Sequence, residues 1–173
     1  MKRYKGIIAA MTIASAGAFA QDNPLSNGTK SLYGMVKGNL VKAAEKMPEE
    51  NYSFKPTPDV RSFGQLVGHV ADAQIVFCSA VKGEQKQSNV EKTKTAKADL
   101  VAALKDAISY CDAVYNSMTD SAAADKVKFF GSDRPKLTIL EFNVAHDNEH
   151  YGNIVTYMRL KGLVPPSSEN AGR

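Results

Sequence analysis

Apolar residues recur three and four positions apart in four separate stretches of this chain, the pattern of helices that each bury one face. The first stretch runs from about Thr29 to Met47 and carries Leu32, Met35, Val36, Leu40, Ala43, Ala44 and Met47; Pro48 stops it, and Pro56 and Pro58 keep residues 49–60 extended or turned. Ser62-Phe63-Gly64-Gln65 reads as a capping box, so a second helix begins there. Its inner face is Leu66, His69, Val70, Ala73, Phe77 and Ala80, and Gly83 ends it.

Residues 84–93 are polar and lack an apolar period, which predicts a connection. Beyond Thr95 the seam Leu100, Leu104, Ala107, Cys111, Val114 and Met118 gives a third helix ending near Thr119. Residues 120–136 read as a loop with one apolar patch, Val127, Phe129 and Phe130, that covers the end of a bundle. Thr138-Ile139-Leu140-Glu141 forms a second capping box, with Leu137 stapled onto Phe142, and a fourth helix continues to about Lys161 before Gly162 and Pro165-Pro166. No stretch alternates long enough to build a sheet. The fold class predicted is all-α, a four-helix bundle, in which sites are built from side chains on facing helices.

The first twenty residues change the reading of the composition. Lys2, Arg3 and Lys5 precede an apolar run from Gly6 to Phe19 that closes on Ala18-Phe19-Ala20, the layout of a cleaved secretory signal peptide. Residues 1–20 are therefore expected to be a signal peptide and residues 21–173 the bundle, secreted or periplasmic and without a stable membrane anchor after cleavage. The whole chain has 22 Lys and Arg against 18 Asp and Glu; the leader holds three of the cations and no acid, which leaves a net charge of +1. No basic stripe remains, so nucleic acid is not an expected partner.

Chemistry concentrates in the histidines. The chain has three, and His146 and His150 stand four residues apart, on one face of the fourth helix. That face also carries Ile139, Phe142, Asn143, Asn153 and Tyr157, with Glu141, Asn148, Gly152 and Arg159 on the solvated side. Three neutral imidazoles leave an open coordination position, as catalytic metal sites require. The residues alone leave a metal site and structurally satisfied core histidines both open, because nothing in the spacing links His69 to the pair.

Two stretches supply that link by resemblance. Residues 61–73, Arg-Ser-Phe-Gly-Gln-Leu-Val-Gly-His-Val-Ala-Asp-Ala, and residues 146–153, His-Asp-Asn-Glu-His-Tyr-Gly-Asn, running on through Tyr157 to Pro166, resemble the DinB superfamily (DinB/YfiT-like metalloenzymes). The resemblance implies that His69, His146 and His150 bind one divalent metal, zinc or nickel first, with iron, copper or manganese as alternatives. It also implies that the second and third helices run parallel, joined by a long crossover. In that arrangement Cys78 and Cys111 lie near the same end, and a disulfide between them suits an oxidising compartment. Asn143, Asn153, Glu149 and Tyr157 are candidates to orient the ligands or handle a proton, and Glu149 and Tyr157 are the catalytic candidates. The family often has Gln where this chain has Asn153, which leaves the role of that residue open.

The leading functional expectation is a metal-dependent, hydrolase-like enzyme acting on a small-molecule substrate. A non-catalytic exported metal- or ligand-binding bundle and a thiol-dependent S-transferase are the alternatives; the sequence leaves the oligomeric state open, a homodimer included.

Overall fold

A computed structural model describes residues 22–169. The leader assigned to residues 1–20 lies outside these. Four long helices dominate: α1 (Pro24–Lys46), α2 (Phe63–Lys82), α4 (Lys97–Ser117) and α6 (Lys136–Leu160). Between them are two single-turn helices, α3 (Val90–Thr93) and α5 (Asp120–Ala123), and a hairpin of β1 (Lys126–Phe129) and β2 (Ser132–Pro135). Among the described residues no helix is long and apolar enough to cross a membrane.

Helix α2 starts where its sequence says. Ser62 Oγ accepts from the Gln65 backbone N–H at 3.2 Å, and Gln65 Oε1 accepts from the Ser62 N–H at 2.8 Å. Gly83 ends it in the left-handed conformation, φ +76°. The other starts differ from expectation. α1 begins at Pro24 rather than near Thr29, because a cap comes from far along the chain: Asp120 accepts from the N–H groups of Leu25 and Ser26, at 3.2 and 2.8 Å. The buried stripe accordingly runs through Ser26, Thr29, Tyr33 and Val36. Leu32 and Met35, expected inside, are exposed.

α6 begins two residues before the expected capping box and has no side-chain cap. The hairpin sets this start. Its last register pair is Lys126 with Pro135, and Lys136 N–H then donates to Asp125 O at 2.8 Å. Leu137 is therefore already helical, and Phe142 turns outward against Phe77 instead of stapling to it. The expected loop over residues 120–136 is corrected to α5 plus the hairpin.

The directions of the helices follow from their contacts. A side chain at Gly64 or Gly68 would meet Leu100, early in α4, while Cys78, late in α2, is bonded to Cys111 with a Cα–Cα separation of 5.4 Å. Advances in the same sense along both helices, about 15–21 Å in α2 and about 17 Å in α4 at 1.5 Å per residue, mean that α2 and α4 run parallel. Residues 83–96 make the crossover. α6 is antiparallel to α2, since His69 meets His146 and His150 whereas Phe77 meets Phe142.

The interior divides into two apolar clusters. One holds Leu40, Val67, Val70, Leu104, Ile154 and Met158; the other holds Tyr33, Phe77, Val114, Tyr115, Ile139 and Leu140. Polar side chains from α2 and α6 gather at the waist between them. Gln74 Nε2 donates to Asp147 Oδ2 at 2.6 Å, and Asn143 Nδ2 donates to Gln74 Oε1 and Tyr115 Oη, each at 3.1 Å. Burial pushes the Asp147 carboxyl up to about 8, so it is largely neutral at pH 7.

Candidate metal centre

The waist brings all three histidines together. α2 supplies His69, and two successive turns of α6 supply His146 and His150. His69 Nε2 lies 3.2 Å from His146 Nε2, and His150 Nε2 lies 3.1 Å from the same atom. Ligand atoms of all three fall within 4.8 Å of one another. Nitrogens bound to one zinc-sized ion at 2.0–2.1 Å in tetrahedral directions sit about 3.3 Å apart, so the observed spacing fits one divalent cation.

The protonation states agree with that fit. Burial is the largest influence on each ring and lowers its basicity; for His146 and His150 it acts with the neighbouring imidazoles and Arg61 to bring them down to about 4. His69 is also lowered, by burial and then by Arg61, with Glu91 opposing. All three are therefore neutral at pH 7, the state a metal needs. Binding a metal through Nε2 requires the proton on Nδ1. Nδ1 of His69 donates to Glu91 Oε2 at 3.2 Å, which holds that tautomer.

Glu91 is the residue of the candidate site that the sequence did not reveal, since it sits in what reads as a solvated linker. Its place depends on three features of the fold. Asp72 caps α3, accepting from the N–H groups of Val90 and Glu91 at 2.7 and 3.0 Å. Gly68 allows the approach, because a Cβ there would stand 2.8 Å from Glu91 Cα and 2.9 Å from Glu91 N. Arg61 Nε donates to Glu91 Oε1 at 2.9 Å, so the carboxylate bridges a guanidinium and an imidazole.

A cavity of about 660 Å³ opens beside His150, lined among others by Arg61, Gln65, Glu91, Glu149 and Tyr157. On the opposite side of the histidines Phe77 stands edge-on to His146, with ring centroids 5.5 Å apart. Glu149 and Tyr157 both face the open cavity. Tyr157 Oη donates to Arg61 O at 2.8 Å, which braces the entry to α2. Asn153 lines the same cavity, whereas Asn143 turns into the core network, where it donates to Gln74 and Tyr115 and makes no hydrogen bond to a histidine among the described residues. Nδ1 of His146 and of His150 is buried without a protein partner among the described residues.

The sequence profile of the DinB superfamily matches residues 35–154, which include all three histidines and Glu91. The chain belongs to the DinB superfamily. One relative in the family is the uncharacterized protein YjoA of Bacillus subtilis strain 168, 25% identical over 122 residues, spanning 69% of this chain and 79% of YjoA. Two solved family structures share the fold. A DinB-like protein from Bacillus cereus ATCC 10987 superposes with a TM-score of 0.71 at 20% identity, covering 81% of this chain and 95% of its own. The YjoA structure from B. subtilis gives 0.64 at 22% identity, covering 81% and 93%. A DinB fold and a three-histidine cluster are together compatible with metal binding.

Proposed function

We propose that this DinB protein is an exported, divalent-metal-dependent enzyme of hydrolase-like chemistry, acting on a small polar substrate that enters through the cavity beside His150. The observation that carries the reading is the convergence of three imidazole Nε2 atoms at metal-ligand spacing, one of them from His150 in the wall of an open cavity. Zinc or nickel suits all-imidazole ligation. When bound, such an ion supplies Lewis acidity toward water and a substrate carbonyl.

The chain's own residues have separable roles in this reading. Glu91 fixes His69 in the inward-facing tautomer. Arg61, held by Glu91, keeps positive charge at the cavity wall and helps hold the rings unprotonated. Glu149 presents an exposed carboxylate to the cavity without an ion-pair partner among the described residues, a position suited to accepting a proton. Tyr157 holds the cavity edge through Arg61 O. The signal-peptide layout supports export, with the mature chain beginning at Gln21.

Elemental mass spectrometry of untagged protein tests the first step, with about one metal per chain expected and loss of that metal in His146→Ala/His150→Ala. Glu149→Gln then separates an enzyme from a metal-binding bundle. In an enzyme it abolishes turnover in a hydrolytic substrate screen while metal content stays unchanged. Intact-mass measurement on periplasmic material tests export, and a retained leader would refute it.

A further inference from the structure

A second cavity, of about 500 Å³, lies across the bundle surface from the first and shares no lining residue with it. Its walls are the hairpin, through Phe129, Phe130 and Arg134, and the first turns of α6, through Ile139, Phe142 and Ala145. That size is typical of small-molecule pockets, which are mostly apolar with a few placed polar groups.

Two features mark it as more than a surface groove. Phe129 pairs with Ser132, so Phe130 and Gly131 form a two-residue turn in which both have positive φ, +46° and +77°. Asn or Gly takes the first position of such a turn without strain; here it is Phe, and its ring is 76% exposed at the mouth of the cleft. The chain accepts an unfavourable backbone conformation and leaves a large apolar ring in water, with its centroid 4.1 Å from that of Phe129 and the two rings tilted by 41°.

The second feature is a cation without a partner. Strand alternation places Arg134, opposite Val127, on the same side of the hairpin as Phe129, facing the bundle. The neighbouring cations are neutralised, Lys128 by Asp133 and Lys136 by Asp125, whereas the Arg134 guanidinium has no ion pair or hydrogen bond among the described residues. A guanidinium is a bidentate match for a carboxylate. Glu141 lines the cleft from α6, also unpaired, and repels an anion placed near it. The anionic end of a ligand therefore belongs at the hairpin, with its apolar body along Phe142 and Ala145.

We propose that this cleft is a binding site for a small organic carboxylate with an aromatic or branched apolar body, clamped by Arg134 and covered by Phe130. It adjoins the three histidines through α6, where Ala145 in its wall precedes His146. Phe77 contacts both Phe142 and His146, with centroids 5.3 and 5.5 Å apart. The site is thus testable whether or not the histidines support catalysis.

The experiment is a titration of the full chain with 3-phenylpropionate, followed by amide chemical shifts, with 3-phenylpropylamine as the cationic counterpart. Saturable shifts are expected at Phe130, Phe142 and Ala145, with a dissociation constant near 1 mM or below. The amine should bind at least tenfold more weakly. Arg134→Gln, at an exposed position, should weaken the acid at least fivefold while leaving the circular dichroism unchanged, and Ala145→Trp should fill the cleft and abolish the shifts. Absence of saturation, equal binding of acid and amine, shifts confined to the cavity beside His150, or an Arg134→Gln variant with undiminished affinity would each overturn the proposal.

Discussion

Replacing Gly68 by alanine tests whether the docked crossover is what completes the proposed metal centre. In an unconstrained helix interior this change stabilises by roughly 0.5–1 kcal/mol, because Gly loses more backbone entropy on folding. Here the added Cβ would stand 2.8 Å from Glu91 Cα and 2.9 Å from Glu91 N, with Leu100 Cδ2 at 3.3 Å. Two of the three obstructing atoms are backbone, so no rotamer change relieves the clash; α3 must move. Overpacking costs about 1–3 kcal/mol, and with two backbone atoms inside 3.0 Å the cost lies in the upper part, about 2–3 kcal/mol, which leaves a net loss of roughly 1–2 kcal/mol after the helical gain. For a domain of this size that is a fall in Tm of about 2–8 °C.

The functional consequence of the same change is larger than the thermal one. Lifting α3 breaks the Asp72 cap and withdraws Glu91 from His69, so metal affinity should fall by about 10–100-fold, as loss of a carboxylate behind a ligating histidine typically does. Competition against a colorimetric chelator measures the affinity, and a thermal melt of the metal-free protein measures the stability. Gly64→Ala is the control, because its closest contacts are all at 3.2 Å and two are side-chain atoms that can yield. A Gly68→Ala protein that melts at or above the parent temperature and binds metal with parent affinity would refute both the packing argument and the role of Glu91.

Glu91→Gln keeps the side-chain shape and removes the charge, so it should weaken metal binding 10–100-fold while shifting the metal-free Tm by no more than a degree or two; equal affinity would show that the contact is incidental. Cys78→Ser/Cys111→Ser opens a 33-residue separation, and unfolded-chain entropy puts the loss near 3–4 kcal/mol, measurable by urea denaturation; free thiols in oxidised native protein would contradict the bridge itself. Asp147→Asn reads the buried carboxyl. Its folded pKa, near 8, lies above the unfolded value, so its neutral form stabilises fully below about pH 4, and that contribution is lost as pH rises toward 8. The variant should therefore gain on the parent progressively across this window, by at least about 1 kcal/mol at pH 8, and a constant difference from pH 4 to 8 would dismiss the shift. His146 and His150 act in the opposite sense. Their folded pKa values, near 4, lie below the unfolded value, so the metal-free protein should lose stability as pH falls from about 6.5 to 4, a slope that His146→Ala/His150→Ala removes.

Sequence periodicity determined the helices and most of their buried faces, because a 3.6-residue repeat of apolar side chains is a local statement about which side meets a core. Val36, Leu40, Leu66, Val70, Leu100 and Leu104 are all buried as their spacing requires. The capping box at Ser62 and the glycine at the end of α2 were equally legible, since donor, acceptor and backbone conformation lie within a few residues. So was the placement of His146 and His150 on one face.

Only the tertiary structure decided the rest, and in each case the deciding partner is distant along the chain. Asp120 capping α1 lies about 95 residues away from the groups it caps. The hairpin strands are four residues each; Lys126–Phe129 alternates polar and apolar for only two periods, and its partner Ser132–Pro135 carries adjacent charges and no apolar alternation, so the pair is too short and too polar to read as a sheet. Their pairing, rather than Thr138, sets the start of α6. Asn143 shares an arc with the histidines by helical spacing, yet which neighbour it meets depends on where Gln74 and Tyr115 arrive. Glu91 is the clearest case. In the sequence it is one acid among several lysines. Its role comes from a crossover that folds back over Gly68 and Asp72, and the absence of a side chain at Gly68 lets the carboxylate reach His69.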